Sequence, residues 1–206
     1  MRFLTLGAIA AAAVLSTGCT TQFGKQFNST ALKQLTPGAA TRSDLVAQVG
    51  PIEKPEILTM KKDLGDKELP NPVVVEIANY YFSDKEAPSA KAGVRSSRNA
   101  SVILADSKIV SYRMSSTFAN ESTDFDEAKI GAIRKGQTTE AEVLALMGQP
   151  SGRATYPFAK EAGGSAMSWY NLSFNIANNK IQSKLYVVYL DARHVVSDFD
   201  LKISEK

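Results

Sequence analysis

Two segments of this chain, residues 27–50 and 125–148, match each other position by position. Phe, Gly, Thr, Ala and Gly recur at equivalent places, and most other aligned pairs keep an apolar or a charged residue. Such self-similarity predicts one supersecondary unit that occurs twice. The matched pairs include Phe27 with Phe125, Leu35 with Ile133, Gly38 with Gly136, Thr41 with Thr139, and Gly50 with Gly148.

Each matched segment carries the signals of two short helices. Apolar residues stand at helical spacing over 27–35 and 125–133, so that each helix would bury one face. A threonine followed three residues later by an acid predicts a capping box at the start of the next helix, and Gly50 or Gly148 ends it. The capping residues are Thr41 and Asp44 in the first segment and Thr139 and Glu142 in the second. Helices this short need a sheet to pack against.

Stretches rich in Val, Ile, Tyr and Phe follow each helix pair and predict antiparallel strands. We therefore predict an α+β fold of two tandem repeats, each a helix-turn-helix packed on an antiparallel β-sheet of three to four strands. The repeats span residues 27–118 and 125–206, with a linker at 119–124. The predicted strands are 73–83, 95–104, 109–118, 153–158, 166–174, 181–190 and 195–203, with hairpin turns at 105–108 and 191–194.

The first repeat is longer than the second, and the extra residues are placed between Met60 and Pro72. Residues 61–68 are polar with charges of both signs, and Pro70 and Pro72 interrupt regular structure. This composition predicts a solvated surface loop.

The N-terminus has the pattern of an export signal. Arg2 is followed by an uncharged apolar stretch, residues 3–15, which is too short to span a bilayer. Residues 15–19, Leu-Ser-Thr-Gly-Cys, resemble the cleavage box of bacterial lipoproteins. This resemblance implies a signal peptide over residues 1–18, acylation of Cys19 by palmitate or a similar chain, and a tether at 19–26. Because Thr20 and not Asp follows, it also implies sorting to the outer membrane, with the protein facing the periplasm.

The side chains that several reaction classes require are scarce. One cysteine and one histidine leave no CxxC pair, no cysteine-rich zinc site and no HExxH helix. The formal net charge is +3 with no basic run, which argues against a nucleic-acid partner. We therefore expect no cofactor, no metal and no small-molecule substrate.

Residues 136–150, Gly-Gln-Thr-Thr-Glu-Ala-Glu-Val-Leu-Ala-Leu-Met-Gly-Gln-Pro, followed by Trp169-Tyr170 and the Leu190-Asp191 hairpin, resemble the SmpA/OmlA (BamE-like) lipoprotein domain. The first repeat, through Gly38, Thr41, Gly50 and Pro51, is a weaker match. Two such units in tandem are similar in plan to the β-lactamase inhibitor protein, whose outward sheet face grips an enzyme. The resemblance implies a fold more than a function, because its motifs are mainly caps and turns.

Two aromatic pairs are the candidate partner-binding residues: Tyr80 with Tyr81, and Trp169 with Tyr170. Since neighbours on a strand point to opposite faces, each pair is predicted to place one ring away from the helices. Tyr and Trp dominate the energetics of protein interfaces, although packing against a neighbouring strand is the other reading of these rings.

Other polar residues fit structural roles better than catalytic ones. His194 lies in a predicted turn and has no second histidine or nucleophile elbow to serve. Two pairs of acids, Asp124 with Asp126 and Asp198 with Asp200, are candidates for the paired carboxylates that a hydrolase uses. Residues two apart on a strand, however, share a face, and acids in this arrangement often only make that face polar and solvated.

The sequence thus predicts a non-enzymatic, lipid-anchored envelope lipoprotein that binds another envelope protein in an assembly or structural role. Two alternatives stay open. One is an enzyme inhibitor similar to the β-lactamase inhibitor protein, and the other is a hydrolase that uses the paired carboxylates.

Overall fold

The computed structural model describes residues 21–63 and 66–206, which form nine strands and four short helices. The predicted signal peptide and Cys19 lie outside the described residues. The strands are β1 (Gln22–Gly24), β2 (Glu56–Lys62), β3 (Glu68–Asp84), β4 (Ser96–Ala105), β5 (Lys108–Ser116), β6 (Gly152–Thr155), β7 (Ser165–Asn175), β8 (Lys180–Leu190) and β9 (Val196–Glu205). The helices are α1 (Ser29–Gln34), α2 (Arg42–Gln48), a 3₁₀ helix (Glu127–Ala132) and α3 (Glu140–Met147).

All nine strands belong to one antiparallel sheet, in the order β1-β3-β4-β5-β6-β7-β8-β9, with β2 also paired to β3. The prediction of an α+β fold with two separate sheets of three to four strands, each under a helix-turn-helix, is therefore wrong. The protein is mostly β, and its short helices only cover one side of a continuous sheet.

Strand β6 joins the two parts of the sheet. It pairs with β5 through Arg113 opposite Gly152 and with β7 through Gly152 opposite Ser168. A Cβ atom at position 152 would stand 2.5 Å from the Ser168 hydroxyl and 2.6 Å from the Tyr112 carbonyl oxygen. Only glycine allows this close approach, which is why β5, β6 and β7 form one surface without a break.

The helices lie on one face of the sheet and bury two apolar clusters there. Leu32 of α1, Leu45 of α2 and Val49, which follows α2, pack on β3, β4 and β5, where Val102 and Met114 are fully buried. The 3₁₀ helix and α3 pack in the same manner on β7, β8 and β9. The main residues of that second cluster are Ile133, Val143, Met167, Trp169, Tyr186 and Val188.

The predicted helix caps are confirmed. The Thr41 and Thr139 hydroxyls accept from the amides of Asp44 and Glu142, and both capping boxes are complete. The glycines that follow α2 and α3 have positive φ, as expected for residues that end a helix. Local sequence signals thus predicted these helix boundaries correctly. They gave no information on how the strands pair into one sheet.

The predicted loop between Met60 and Pro72 is mostly strand. Strand β2 runs to Lys62 and β3 begins at Glu68, and these two residues pair at the end of a hairpin. At its turn the Lys67 amide donates to the Asp63 carboxylate at 3.0 Å. Charged side chains at a strand end are compatible with pairing when both faces of the ribbon meet water, and this is why composition alone gave the wrong result. Part of the predicted tether is also a strand, since β1 pairs with β3.

Candidate functional site

The sheet has two faces of different character. We call the side under α1, α2, the 3₁₀ helix and α3 the covered face, and the opposite side the open face. Because side chains alternate along each strand, register assigns every strand residue to one of them. The open face contains Ser101, Ser111, Ser168 and Ser183, together with rings from β3, β7 and β8.

Two of the four predicted binding residues lie on the covered face. The Tyr80 ring packs against the first apolar cluster, and its hydroxyl donates to the Gly50 carbonyl at 3.1 Å. Trp169 is 3% exposed and lies 6.1 Å from the ring of Tyr186. Both rings therefore pack in the interior of the fold and have little surface to offer a partner.

The other member of each pair lies on the open face, as strand alternation predicts. Tyr81 is 42% exposed and makes an edge contact with Phe23 of β1, with ring centroids 5.9 Å apart. Tyr170 lies beneath the Arg113 guanidinium, whose carbon is 4.7 Å from the ring centroid. Strands β4 and β5 lie between β3 and this part of β7, so the two rings belong to different parts of the open face.

The centre of the open face is hollowed. Side chains from β4 to β9 line a single cavity of about 320 Å³, which we call the hollow. Its floor is made of small residues, namely Ser111, Ala154, Ala166 and Ser168, beside the bare backbone of Gly152. Larger side chains stand around them: Ile103, Arg113, Phe158, Leu185, Val187 and Tyr189. Small residues in the middle and large ones at the sides produce the depression.

The segment between β6 and β7, residues 156–164, closes one side of the hollow. Its Ala159 is buried and, with Phe158, packs against Ala154, Ala166 and Tyr189. The Lys160 ammonium binds Asp198 at 2.6 Å and lies 4.4 Å from the centroid of the Tyr189 ring. These contacts fix the wall in place, so the hollow is a built feature of the fold.

Asp198 and Asp200 both bind the segment that forms this wall. Asp198 bonds Lys135 and Lys160, and Asp200 lies 3.5 Å from Lys160. The hydrogen bond from Lys135, followed by the one from Lys160, holds the pKa of Asp198 far below its usual range. A carboxyl group in this state cannot donate a proton at neutral pH.

The other acid pair is also engaged in structure. Asp124 bonds Lys184 at 2.6 Å and Lys91 at 2.7 Å, and Asp126 caps the 3₁₀ helix. Partial burial opposes the ionisation of Asp124, but the hydrogen bonds from Lys184 and Lys91 outweigh it and lower the pKa. Asp124 therefore lacks the raised pKa that a general acid needs.

His194 is exposed in the turn between β8 and β9, as predicted. Its Nδ1 lies 2.8 Å from a carboxylate oxygen of Glu140, whose other oxygen accepts from Arg153 at 2.9 Å. Partial burial opposes the ionisation of Glu140, but the hydrogen bonds from Arg153 and His194 lower its pKa. The imidazole thus links the turn to the start of α3.

Within the described ranges, no cluster of His, Cys, Asp and Glu has the arrangement of a metal site. In the same part of the chain, no helix is both long and apolar enough to cross a membrane.

Sequence reasoning missed the residues that matter most on the open face. Arg113 and Lys202 both line the hollow, and neither stood out in the sequence. Alternation places each on a face, but it does not tell which strands are neighbours, and the hollow depends on that order. The short run Gly-Arg-Ala-Thr of β6 was the available signal, since small residues two apart on a strand leave a depression.

Comparison with known protein families, curated proteins and solved structures finds no match to this chain.

Proposed function

We propose that this protein is a lipid-anchored envelope lipoprotein that binds another protein through the open face of its sheet. The hollow carries this proposal. It combines Tyr189 and Phe158 with several serines and with Arg113, which stacks on Tyr170 beside it. No helix of the described chain covers this surface. Tyrosine and arginine supply interface energy, and serine adapts its hydrogen bonds.

The shape of the hollow favours a protruding partner. A cavity of about 320 Å³ is at the lower limit of small-molecule sites and is open to the outside. It suits a loop or a strand edge of another protein that enters from above. The acid pairs support the same reading, since lysines bind Asp124, Asp198 and Asp200 and Asp126 caps a helix.

A photo-crosslinking experiment tests the binding surface. A photoreactive amino acid replaces Ser101 or Ser111 at the hollow, and Lys129 on the exposed side of the 3₁₀ helix serves as the control position. Irradiation of intact cells is expected to give a discrete protein adduct from the two serine positions alone. Adducts of equal yield from Lys129, or none from either serine, would contradict binding through the open face.

The anchor is tested separately. Labelling with a palmitate analogue is expected to mark the wild-type protein and to leave Cys19→Ser unlabelled. Membrane fractionation should find the wild type with the outer membrane and Cys19→Ser in the soluble periplasmic fraction. If the wild-type protein is not labelled, the proposed lipid anchor is wrong. The argument for binding through the open face does not depend on this result.

A further inference from the structure

The charges around the hollow do not balance. Among the described residues that line it, Asp200 is the one carboxylate, and Lys160 already neutralises it at 3.5 Å. Arg153 borders the hollow through its strand, but its side chain lies on the covered face and pairs with Glu140. Arg113 and Lys202 have no carboxylate partner in the described part of the chain, and both are exposed. The hollow therefore presents two uncompensated positive charges.

The two cations flank one apolar position. Tyr170, Leu185 and Lys202 are consecutive cross-strand neighbours on β7, β8 and β9. Arg113 extends over Tyr170, so its guanidinium and the Lys202 ammonium stand on either side of Leu185. Two strand spacings separate Tyr170 from Lys202, which is about 10 Å.

A third cation extends this pattern along β7. The Arg95 guanidinium lies over the ring of Phe174, with its carbon 5.8 Å from the centroid. Its Nε is buried without a hydrogen-bond partner. Arg95 also lacks a carboxylate partner among the described residues, so β7 has an arginine stacked on each of two open-face rings.

We infer that the partner inserts an extended acidic segment into the hollow, with carboxylates that pair with Arg113 and Lys202. This inference rests on the proposed protein-binding function. In an extended chain, side chains two residues apart share a face and stand about 7 Å apart. Acids at this spacing fit between the two cations, and a side chain directed to Leu185 completes the contact. A flat membrane surface cannot enter a concave hollow, so anionic lipid does not meet the same geometry.

Arginine stacked on a ring is suited to this role. The ring fixes the plane of the guanidinium and leaves its N–H groups free for a bidentate contact with a carboxylate. Lys202 adds a flexible point charge on the opposite side. The floor of small residues lets the backbone of the incoming segment approach closely.

Selection of short random peptides from a display library against the purified full chain tests the inference. We expect the bound peptides to be enriched in Asp and Glu two residues apart. Arg113→Glu and Lys202→Glu should each weaken the best peptide by about tenfold, with a steep dependence on salt. Lys129→Glu makes the same charge change on the covered side and should leave binding unaltered. Thermal unfolding of all three variants verifies that they are folded.

Ser111→Trp, which fills the hollow, separates failure of this inference from failure of the proposed function. Peptides without acidic enrichment whose binding is lost in Ser111→Trp would overturn the acidic segment and leave protein binding by the open face intact. If no selected peptide is sensitive to Ser111→Trp, both fail. Equal weakening by Lys129→Glu and Lys202→Glu would also overturn the inference, because the effect would then be one of net charge.

Discussion

The ammonium group of Lys184 lies 2.6 Å from a carboxylate oxygen of Asp124, and only 9% of this lysine is exposed. It also bonds Glu127 at 3.1 Å and the Phe125 carbonyl at 3.1 Å. Asp124 belongs to the chain segment that leads from β5 to the 3₁₀ helix. This buried charge therefore fastens that segment to β8 on the covered face.

Replacing Asp124 tests how much this pair stabilises the fold. Asp124→Asn leaves a buried ammonium with one carboxylate fewer, and we expect the free energy of unfolding to fall by about 2–3 kcal/mol. The matched control is Lys91→Met, which removes the exposed lysine from the same carboxylate and should cost less than about 1 kcal/mol. Urea denaturation measures both. Equal losses of unfolding free energy in the two variants would show that the burial of Lys184 does not account for the effect of Asp124→Asn.

Asp198 links stability to acid pH. Lys135 and Lys160 lower its pKa below the ordinary value of 3.8, so its ionised form stabilises the folded state. That stability is fully present above about pH 4 and is lost as the pH falls further, toward the lowered folded-state pKa. In Asp198→Asn this contribution is missing at every pH. The difference in unfolding free energy between wild type and variant should therefore shrink as the pH drops below 4, and a constant difference would contradict this account.

A side chain at position 152 is expected to destabilise the fold. Because a Cβ atom would stand 2.5 Å from the Ser168 hydroxyl, Gly152→Ala should destabilise the protein by about 1–3 kcal/mol and widen the hollow. Gly131→Ala in the 3₁₀ helix is the control, since nothing lies within 4 Å of the added atom. It should change the free energy of unfolding by less than about 0.5 kcal/mol. A harmless Gly152→Ala would argue against the close contact of β5, β6 and β7.

Several tyrosines should resist ionisation. Burial raises the pKa of Tyr80, Tyr186 and Tyr189 to about 12. Phenolate absorbance at pH 11 should then show at least three of the seven tyrosines un-ionised in the folded protein, and all seven ionised in denaturant. Because the folded-state pKa lies above the ordinary value of 10.0, stability is complete below pH 10 and falls as the pH rises toward 12.

Tyr186→Phe extends this experiment. The Tyr186 hydroxyl is buried without a hydrogen-bond partner, so its removal should leave the free energy of unfolding unchanged or raise it by about 1 kcal/mol. The variant should also have one late-titrating tyrosine fewer. A large loss of stability would mean that the hydroxyl has a partner, such as a bound water.

The sequence was a good guide where the determining interactions are local. A capping box lies within four residues, so Thr41 with Asp44 and Thr139 with Glu142 could be identified from spacing alone. The hairpin turns before Lys108 and Val195 were found for the same reason. Strand alternation also predicted that one ring of each aromatic pair faces away from the helices, and Tyr81 and Tyr170 are the two that do.

The pairing of all strands into one sheet could not be predicted from the sequence, because it depends on residues that are far apart along the chain. Only three residue pairs connect β5 to β6, and the partner of Ser111 is Ala154, far along the chain. Alternation assigns a residue to a face but does not identify the neighbouring strand. The internal match therefore favoured two separate sheets, and the hollow, which needs strands from β4 to β9, could not be predicted.

The place of β6 has a consequence for how the molecule is made. Between Ser111 and Arg113 the edge of β5 has no strand partner until residues 152–154 pair with it, and one wall of the hollow comes from β9. A partly synthesised chain exposes a bare strand edge, which invites pairing with other chains. The hollow therefore exists only after β6 has docked between β5 and β7, so its formation reports the completion of the sheet rather than the folding of any single hairpin.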